Sequence, residues 1–145
     1  MDTAVRAVLG VCMRWIHIAS VVTLIGGFIY ARFVLAPALA SLPPSERELA
    51  GGVAVTSFRP LMFFVLIAAI GSGMYNYSNK ASFPPGYQMW FGIKMLLVLH
   101  IAASAILYSV RASSQAKRNR TALSIAISGL AVVAISAYLR YLSLR

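Results

Sequence analysis

Four long apolar blocks alternate with short polar segments along the chain, at roughly 15–39, 60–77, 90–110 and 122–142. A helix needs about 20 mainly apolar residues to cross a hydrocarbon core of ~30 Å, so each block predicts one transmembrane helix. Little chain remains between blocks, and no internal repeat or low-complexity tract interrupts the pattern. The expected fold is therefore all-α: an integral membrane four-helix bundle with antiparallel up-down topology, a single transmembrane domain over residues 1–145.

The polar segments mark the helix ends. Helix 1 starts somewhere between Ala4 and Arg14 and ends near Pro43-Pro44. Ser45 followed by Glu48 forms a capping-box pattern, which places the start of helix 2 near Glu46, with entry into lipid after Arg59-Pro60. Pro84-Pro85-Gly86 breaks the chain within 79–88. Helix 3 then runs from about Gln88 to Ser113, and the basic run Lys117-Arg118-Asn119-Arg120 is expected in the third loop. Ser124, Ser128, Val132 and Ser136 on helix 4, and Ala68, Ser72 and Asn76 on helix 2, repeat at four-residue spacing. Small and hydroxyl residues at that spacing let backbones approach and hydrogen-bond in lipid, so both stripes read as interhelix seams.

Composition supports the membrane reading and charge refines it. Of the 145 residues, 60% are hydrophobic, against roughly 45–50% in soluble domains. The mean hydropathy is +0.80. A net charge of +10 on a soluble chain would suggest nucleic acid. Here the basic residues mostly sit at block ends and in short loops, where Lys and Arg meet lipid phosphates and set topology, so the expected partner is the lipid bilayer, with no nucleic acid. Arg6, Arg14, Lys80, Arg140 and Arg145 fall on the terminal side; Arg47, Arg59, Arg111, Lys117, Arg118 and Arg120 fall on the other. The cluster in the third loop places that side in the cytoplasm and both termini outside, and the expected location is a bacterial inner (plasma) membrane. The first block is too long for a signal peptide's apolar region and is read as retained. The single cysteine, Cys12, excludes an intramolecular disulfide.

Three features carry candidate chemistry. The only two histidines, His17 and His100, fall in blocks 1 and 3. Ionisable residues within a span are rare and usually face the bundle interior. Two imidazoles on like-oriented helices are either axial ligands of one haem or separate interhelix hydrogen-bonding groups. Depth separates them: measured from Trp15 and Trp90, His100 lies ~12 Å deeper than His17 at a rise of about 1.5 Å per residue, whereas Lys94 matches the height of His17. Lys94 is the second feature. The acidic residues Asp2, Glu46 and Glu48 all lie outside the blocks, so Lys94 has no intramembrane carboxylate. It snorkels, loses its proton or meets an external anion such as a porphyrin propionate. Arg14, one turn before His17, and Arg32 face the same choice. The third feature is a soft donor set, Met13, His17, Met95, His100 and Cys12, of the kind that suits Cu(I), although no Met-x-x-Met or Cys-x-x-Cys motif is present. A proton pump built on a buried acid relay is excluded by the missing carboxylates. Gly71-Ser72-Gly73 lies within an apolar block and reads as helix packing, not a phosphate cradle.

The stretch Trp15-Ile16-His17-Ile18-Ala19-Ser20-Val21-Val22-Thr23-Leu24-Ile25-Gly26-Gly27 resembles the first helix of the CopD-like and HemJ-like membrane families. Ala31-Arg32-Phe33-Val34-Leu35-Ala36-Pro37-Ala38-Leu39 looks similar to the end of that helix, and Trp90-Phe91-Gly92-Ile93-Lys94-Met95-Leu96-Leu97-Val98 resembles the lysine-containing segment of HemJ. The HemJ resemblance implies a b-haem-associated protoporphyrinogen oxidase in which His17 and Lys94 occupy functional positions. The CopD resemblance implies copper uptake or tolerance. The chain departs from both patterns: Leu35-Ala36 stands where HemJ tends to carry Tyr-His, His100 comes early on helix 3, and the chain is shorter than CopD.

The expected function is a haem b-binding membrane protein with a redox role, either electron transfer with a membrane partner or quinone, or HemJ-like porphyrinogen oxidation. His17 and His100 are the candidate iron ligands, Arg14 and Lys94 the propionate partners, and His17 and Lys94 the candidate catalytic pair. A copper-handling protein of CopD type and a cofactor-free subunit or scaffold of a membrane complex, with oligomers allowed, are the alternatives.

Overall fold

A computed structural model describes residues 3–80, 82–110 and 114–144. The sequence assignments that involve Asp2, Arg111, Ser113 and Arg145 lie outside the described residues. Four helices follow one another: α1 (Thr3–Ala40), α2 (Pro44–Ser78), α3 (Tyr87–Val110) and α4 (Gln115–Leu142). Each is long and apolar enough to cross a bilayer, and no strand occurs among the described residues. Only 22–33% of the most apolar stretch of each helix is buried inside the bundle. Large side chains such as Phe64, Ile67, Leu96 and Leu99 point outward. Apolar surface of that extent needs a lipid solvent, and the chain is an integral membrane protein.

The helices run up and down around a small core. α1 packs along α2 and α4, α3 packs along α4, the α2–α3 contact is thinner, and α1 and α3 lie across the diagonal. The core contains Leu24, Phe28, Met62, Val65, Leu66, Ile101, Ala105, Ala122, Ile125 and Val132. Phe28, fully buried, meets Phe58 and Tyr108 edge-to-face at centroid distances of 6.0 and 5.3 Å. That offset geometry is the favoured one for aromatic pairs.

α1 is longer than its apolar block and carries one wide turn. Residues Ala31–Leu35 form a π-helical segment, with the Ala36 N–H donating to the Ala31 carbonyl. Pro37 follows two residues after it and has no N–H to give the preceding turn. The wide turn lets the helix pass the proline without a break. Ser41 Oγ and the Leu42 N–H take the Ala38 and Leu39 carbonyls at the C-terminus of α1, and one further side chain spans the turn. Arg47 donates from Nε to the Leu39 carbonyl (3.1 Å) and from Nη2 to those of Ala40 (2.8 Å) and Leu42 (2.9 Å). A cation at a helix C-terminus also complements the helix dipole.

Two local expectations differ from the structure. The Ser45/Glu48 capping box is not formed: α2 starts at Pro44 with Pro43 in the cap position and no side-chain cap. Proline needs no donor partner at the first turn, so the cap is dispensable. Glu48 is used elsewhere. Its carboxylate accepts the Gln115 backbone N–H (2.9 and 3.1 Å) and Arg118 Nη2 (2.8 Å). It thus caps α4 from across the bundle. The second difference follows from this. The basic run Lys117-Arg118-Asn119-Arg120 lies in the first turns of α4, not in a loop. Cations at a helix N-terminus oppose the dipole, and the Glu48 carboxylate offsets that cost. Gly51 makes room for the arrangement, since a Cβ there would fall 2.2 Å from Gln115 Oε1.

At the centre, Gly129 of α4 lets Ile25 of α1 approach, and an added Cβ would lie 2.7 Å from Ile25 Cγ1. Gly129→Ala is expected to destabilise the bundle by about 1–3 kcal/mol through overpacking. Thermal unfolding in mild detergent checks this. Combined with Ile25→Ala, the loss should be smaller than the sum of the two single losses, because the pair is in contact.

Candidate functional site

The seam on α2 positions the one histidine that faces inward. Ala68, Ser72 and Asn76 lie along α1: Asn76 Nδ2 donates to the Met13 carbonyl at 3.4 Å, and Ser72 Oγ donates to the Ala68 carbonyl. His17 of α1 inserts between these groups. Its Nδ1 lies 2.9 Å from the Ala69 carbonyl and 3.2 Å from Ser72 Oγ. A carbonyl only accepts, so the short contact requires Nδ1 to carry the proton. The opposite nitrogen, Nε2, then presents a lone pair and has no hydrogen-bond partner among the described residues. Gly73 permits the fit, because a Cβ there would come within 3.0 Å of the imidazole Cε1. Anchoring one imidazole nitrogen on a carbonyl while the other stays free is how proteins orient a histidine that ligates a metal.

The imidazole borders an apolar cavity of about 70 Å3 in the middle of the bundle. Leu24, Leu66, Val98, Ile101 and Val132 form much of its wall, and its two ionisable lining residues are His17 and Lys94. Lys94 also borders a second, larger space of about 580 Å3 at the terminal end of the bundle. This vestibule is lined by four cations, Arg14, Lys80, Lys94 and Arg140, together with Asn76, Asn79, Ser136 and Ser143. No carboxylate lines it among the described residues. Glu46 and Glu48, the only acidic residues among those described, are at the opposite end, in the first turns of α2. Lys94 therefore makes no ion pair among the described residues.

The vestibule's rim is aromatic and already crowded with positive charge. Lys80 Nζ donates to Ser143 Oγ and sits 3.8 Å from the centroid of the Tyr87 ring. Partial burial pushes the Lys80 ammonium below its ordinary range, and the nearby Arg140 guanidinium adds to the effect. Tyr77 stacks on Phe91, and Trp90 meets Tyr138 edge-on, at 4.3 and 5.3 Å between centroids. Tyr and Trp collect at the headgroup level of membranes, which puts this opening near an interface.

The remaining sequence candidates lie elsewhere. His100 is exposed on the outer face of the α3–α4 pair, where its Nε2 lies 3.1 Å from Ser124 Oγ. It does not line the His17 cavity. The structure thus brings His17 together with Lys94, and leaves His100 in an interhelix hydrogen bond. Cys12 and Met95 are exposed, Met13 is half-buried, and no group of three or more His, Cys, Asp or Glu is gathered among the described residues. Arg32 lies over the Phe33 ring at 5.5 Å. Lys80 and Arg140 were read from the sequence as topology signals only. Their convergence on Lys94 depends on the ends of α2 and α4 meeting, which no spacing in the sequence signals.

Neither a protein-family model, nor a curated protein, nor a solved structure matches this chain.

The geometry makes one direct prediction. Nitrogen NMR of protein labelled at histidine should show His17 as the neutral Nδ1–H tautomer, with Nε2 unprotonated. An Nε2–H tautomer would contradict the Ala69 hydrogen bond and the free lone pair.

Proposed function

We propose that this chain is a haem b-binding membrane protein with a redox role, in which His17 would hold the iron and the vestibule cations would hold the propionates. The observation that carries the reading is the vestibule of Arg14, Lys80, Lys94 and Arg140, without an acid among the described residues, which shares Lys94 with the cavity beside a half-buried imidazole whose second nitrogen is unused.

The residues present fit such a group by their chemistry. An imidazole whose Nδ1–H is anchored on the Ala69 carbonyl offers Nε2 to a metal in a defined tautomer. Lys94 and Arg14 are flexible cations at the edge of lipid, where a carboxylate partner removes the cost of an unpaired charge. The ligand-sized space is the vestibule, within the roughly 300–1,000 Å3 of ordinary small-molecule sites; His17 does not line it, and the 70 Å3 cavity beside His17, joined to it through Lys94, would have to widen to admit a ring. An amphipathic dianion would therefore be held mainly by its charged edge, with its apolar body directed toward the bundle wall. Haem supplies one-electron chemistry when bound. The protein's part is to hold the carboxylates in the polar vestibule, fix the imidazole and exclude water from the imidazole's side with apolar side chains. Electron exchange with a membrane partner or quinone, or oxidation of a porphyrinogen presented by its propionates, is the redox role in this reading. The bilayer concerned is a bacterial plasma membrane with the termini, and hence the vestibule, on its outer side.

The visible spectrum of the full chain, purified in mild detergent after expression with ample haem, tests the proposal. A b-type Soret band is expected. His17→Ala should abolish it, Lys94→Gln should weaken haem affinity by about tenfold, equivalent to 1.4 kcal/mol, and His100→Ala should leave the band in place. A featureless spectrum in the unmodified chain, or a band that survives His17→Ala, would overturn it.

A further inference from the structure

A second arginine is stranded at the opposite end of the bundle. Arg59 of α2 has its Nε closed off from solvent and without a hydrogen-bond partner. The other atoms of its guanidinium likewise make no ion pair or hydrogen bond among the described residues. Arg59 is half-buried, with only its Nε closed off, so its charge reaches the surface, where a headgroup anion is the counter-charge at hand. The nearest acid in the same region, Glu48, is already committed to Arg118 and to the start of α4. Its charge is matched, and that of Arg59 is surplus.

Arg59 lines a space of about 540 Å3 that also touches Tyr108, Val55 and the paired Glu48 and Arg118, so the surplus charge in it is that of Arg59. Val55 and Tyr108 are shared with a neighbouring groove of about 560 Å3 between α1 and α2, whose wall is mostly apolar and includes Gly26, Tyr30 and Phe58. Gly26 and Tyr30 are exposed on the outer surface, so the groove opens where the bilayer lies. Arg59 sits beside Ser109 and Val110, where α3 ends, at the height of a membrane interface. The two spaces adjoin side by side through Val55 and Tyr108, one carrying a cation and the other an apolar wall, the two parts of an amphipathic ligand's site.

We infer that this is a site for one anionic membrane lipid, with its phosphate on Arg59 and an acyl chain in the groove beside Gly26. The site is separate from the vestibule, on the other face of the membrane, and does not depend on the function proposed for His17. Charge complementarity selects the occupant. A phosphate carrying net charge pairs with the surplus guanidinium, whereas a zwitterionic headgroup brings its own cation and gains little.

Native mass spectrometry of the full chain in detergent tests this, with phosphatidylglycerol and phosphatidylcholine of identical chains as probes. Phosphatidylglycerol should bind at one site at least about tenfold more tightly than phosphatidylcholine. Arg59→Gln should remove most of that preference. Gly26→Leu fills the groove without touching Arg59, since a Cβ at Gly26 meets nothing within 4 Å. It should weaken phosphatidylglycerol binding by a similar factor, and it keeps the test decisive if Arg59→Gln fails to fold. Inorganic phosphate at millimolar concentration should not displace the lipid. Equal binding of the two lipids, retention of phosphatidylglycerol by Gly26→Leu at the unmodified level, or displacement by inorganic phosphate would each overturn the assignment; the last would make a free anion the ligand.

Discussion

A bilayer offers a buried charge nothing to pair with except what the protein brings, and this chain brings almost no carboxylate. Its net charge is +10, with three acidic residues in all. The structure spends Glu48 on capping α4 and pairing Arg118. Every other interior or interfacial cation must find a carbonyl, an aromatic face, a headgroup or a ligand. Arg47 finds three carbonyls, Lys80 finds the Tyr87 ring and Ser143, and Arg32 finds Phe33. Lys94 and Arg59 find no acid among the described residues, and they mark the two places where the fold is open to an anion.

The same constraint explains why His17 differs from His100. Both imidazoles lie at membrane depth and both need a partner. His100 meets a serine on the outside of a helix pair, a hydrogen bond that completes a surface and leads nowhere. His17 is turned inward by the Ala68/Ser72/Asn76 seam, gripped at Nδ1 and accommodated by the missing side chain of Gly73. The small-residue stripe is thus both packing and positioning. It brings α1 close to α2, and that approach aims the imidazole at the space shared with Lys94.

Much of the architecture was legible in the residue order because lipid makes the rules strict. Length and apolarity alone placed four helices, the Pro84-Pro85-Gly86 break placed the second turn, and the small-residue stripe on α2 named its partner face. What was not legible depends on contacts between segments distant in sequence. Ser45 and Glu48 satisfy a local capping pattern, yet the carboxylate is drawn 67 residues away to the start of α4, where the basic run extends the helix. The rotation of α3 was equally hidden. Lys94 and His100 both lie in its apolar block, and only the packed bundle shows that one faces the cavity and the other the outer surface. The gathering of Lys80 and Arg140 around Lys94 likewise requires the ends of α2 and α4 to meet, and no local pattern encodes it.

The vestibule's central property is recognition of negative charge at the edge of an apolar molecule. Protoporphyrin IX carries two carboxylates; its dimethyl ester has the same ring without the charge. Titrating both into the detergent-purified chain and following binding calorimetrically isolates that term without involving a metal. The diacid should bind at least about tenfold more tightly than the ester, a difference of 1.4 kcal/mol or more, and the gap should narrow at high salt. Equal affinity for the two would show that Arg14, Lys80, Lys94 and Arg140 are anchored to the membrane interface alone, and would contradict the account.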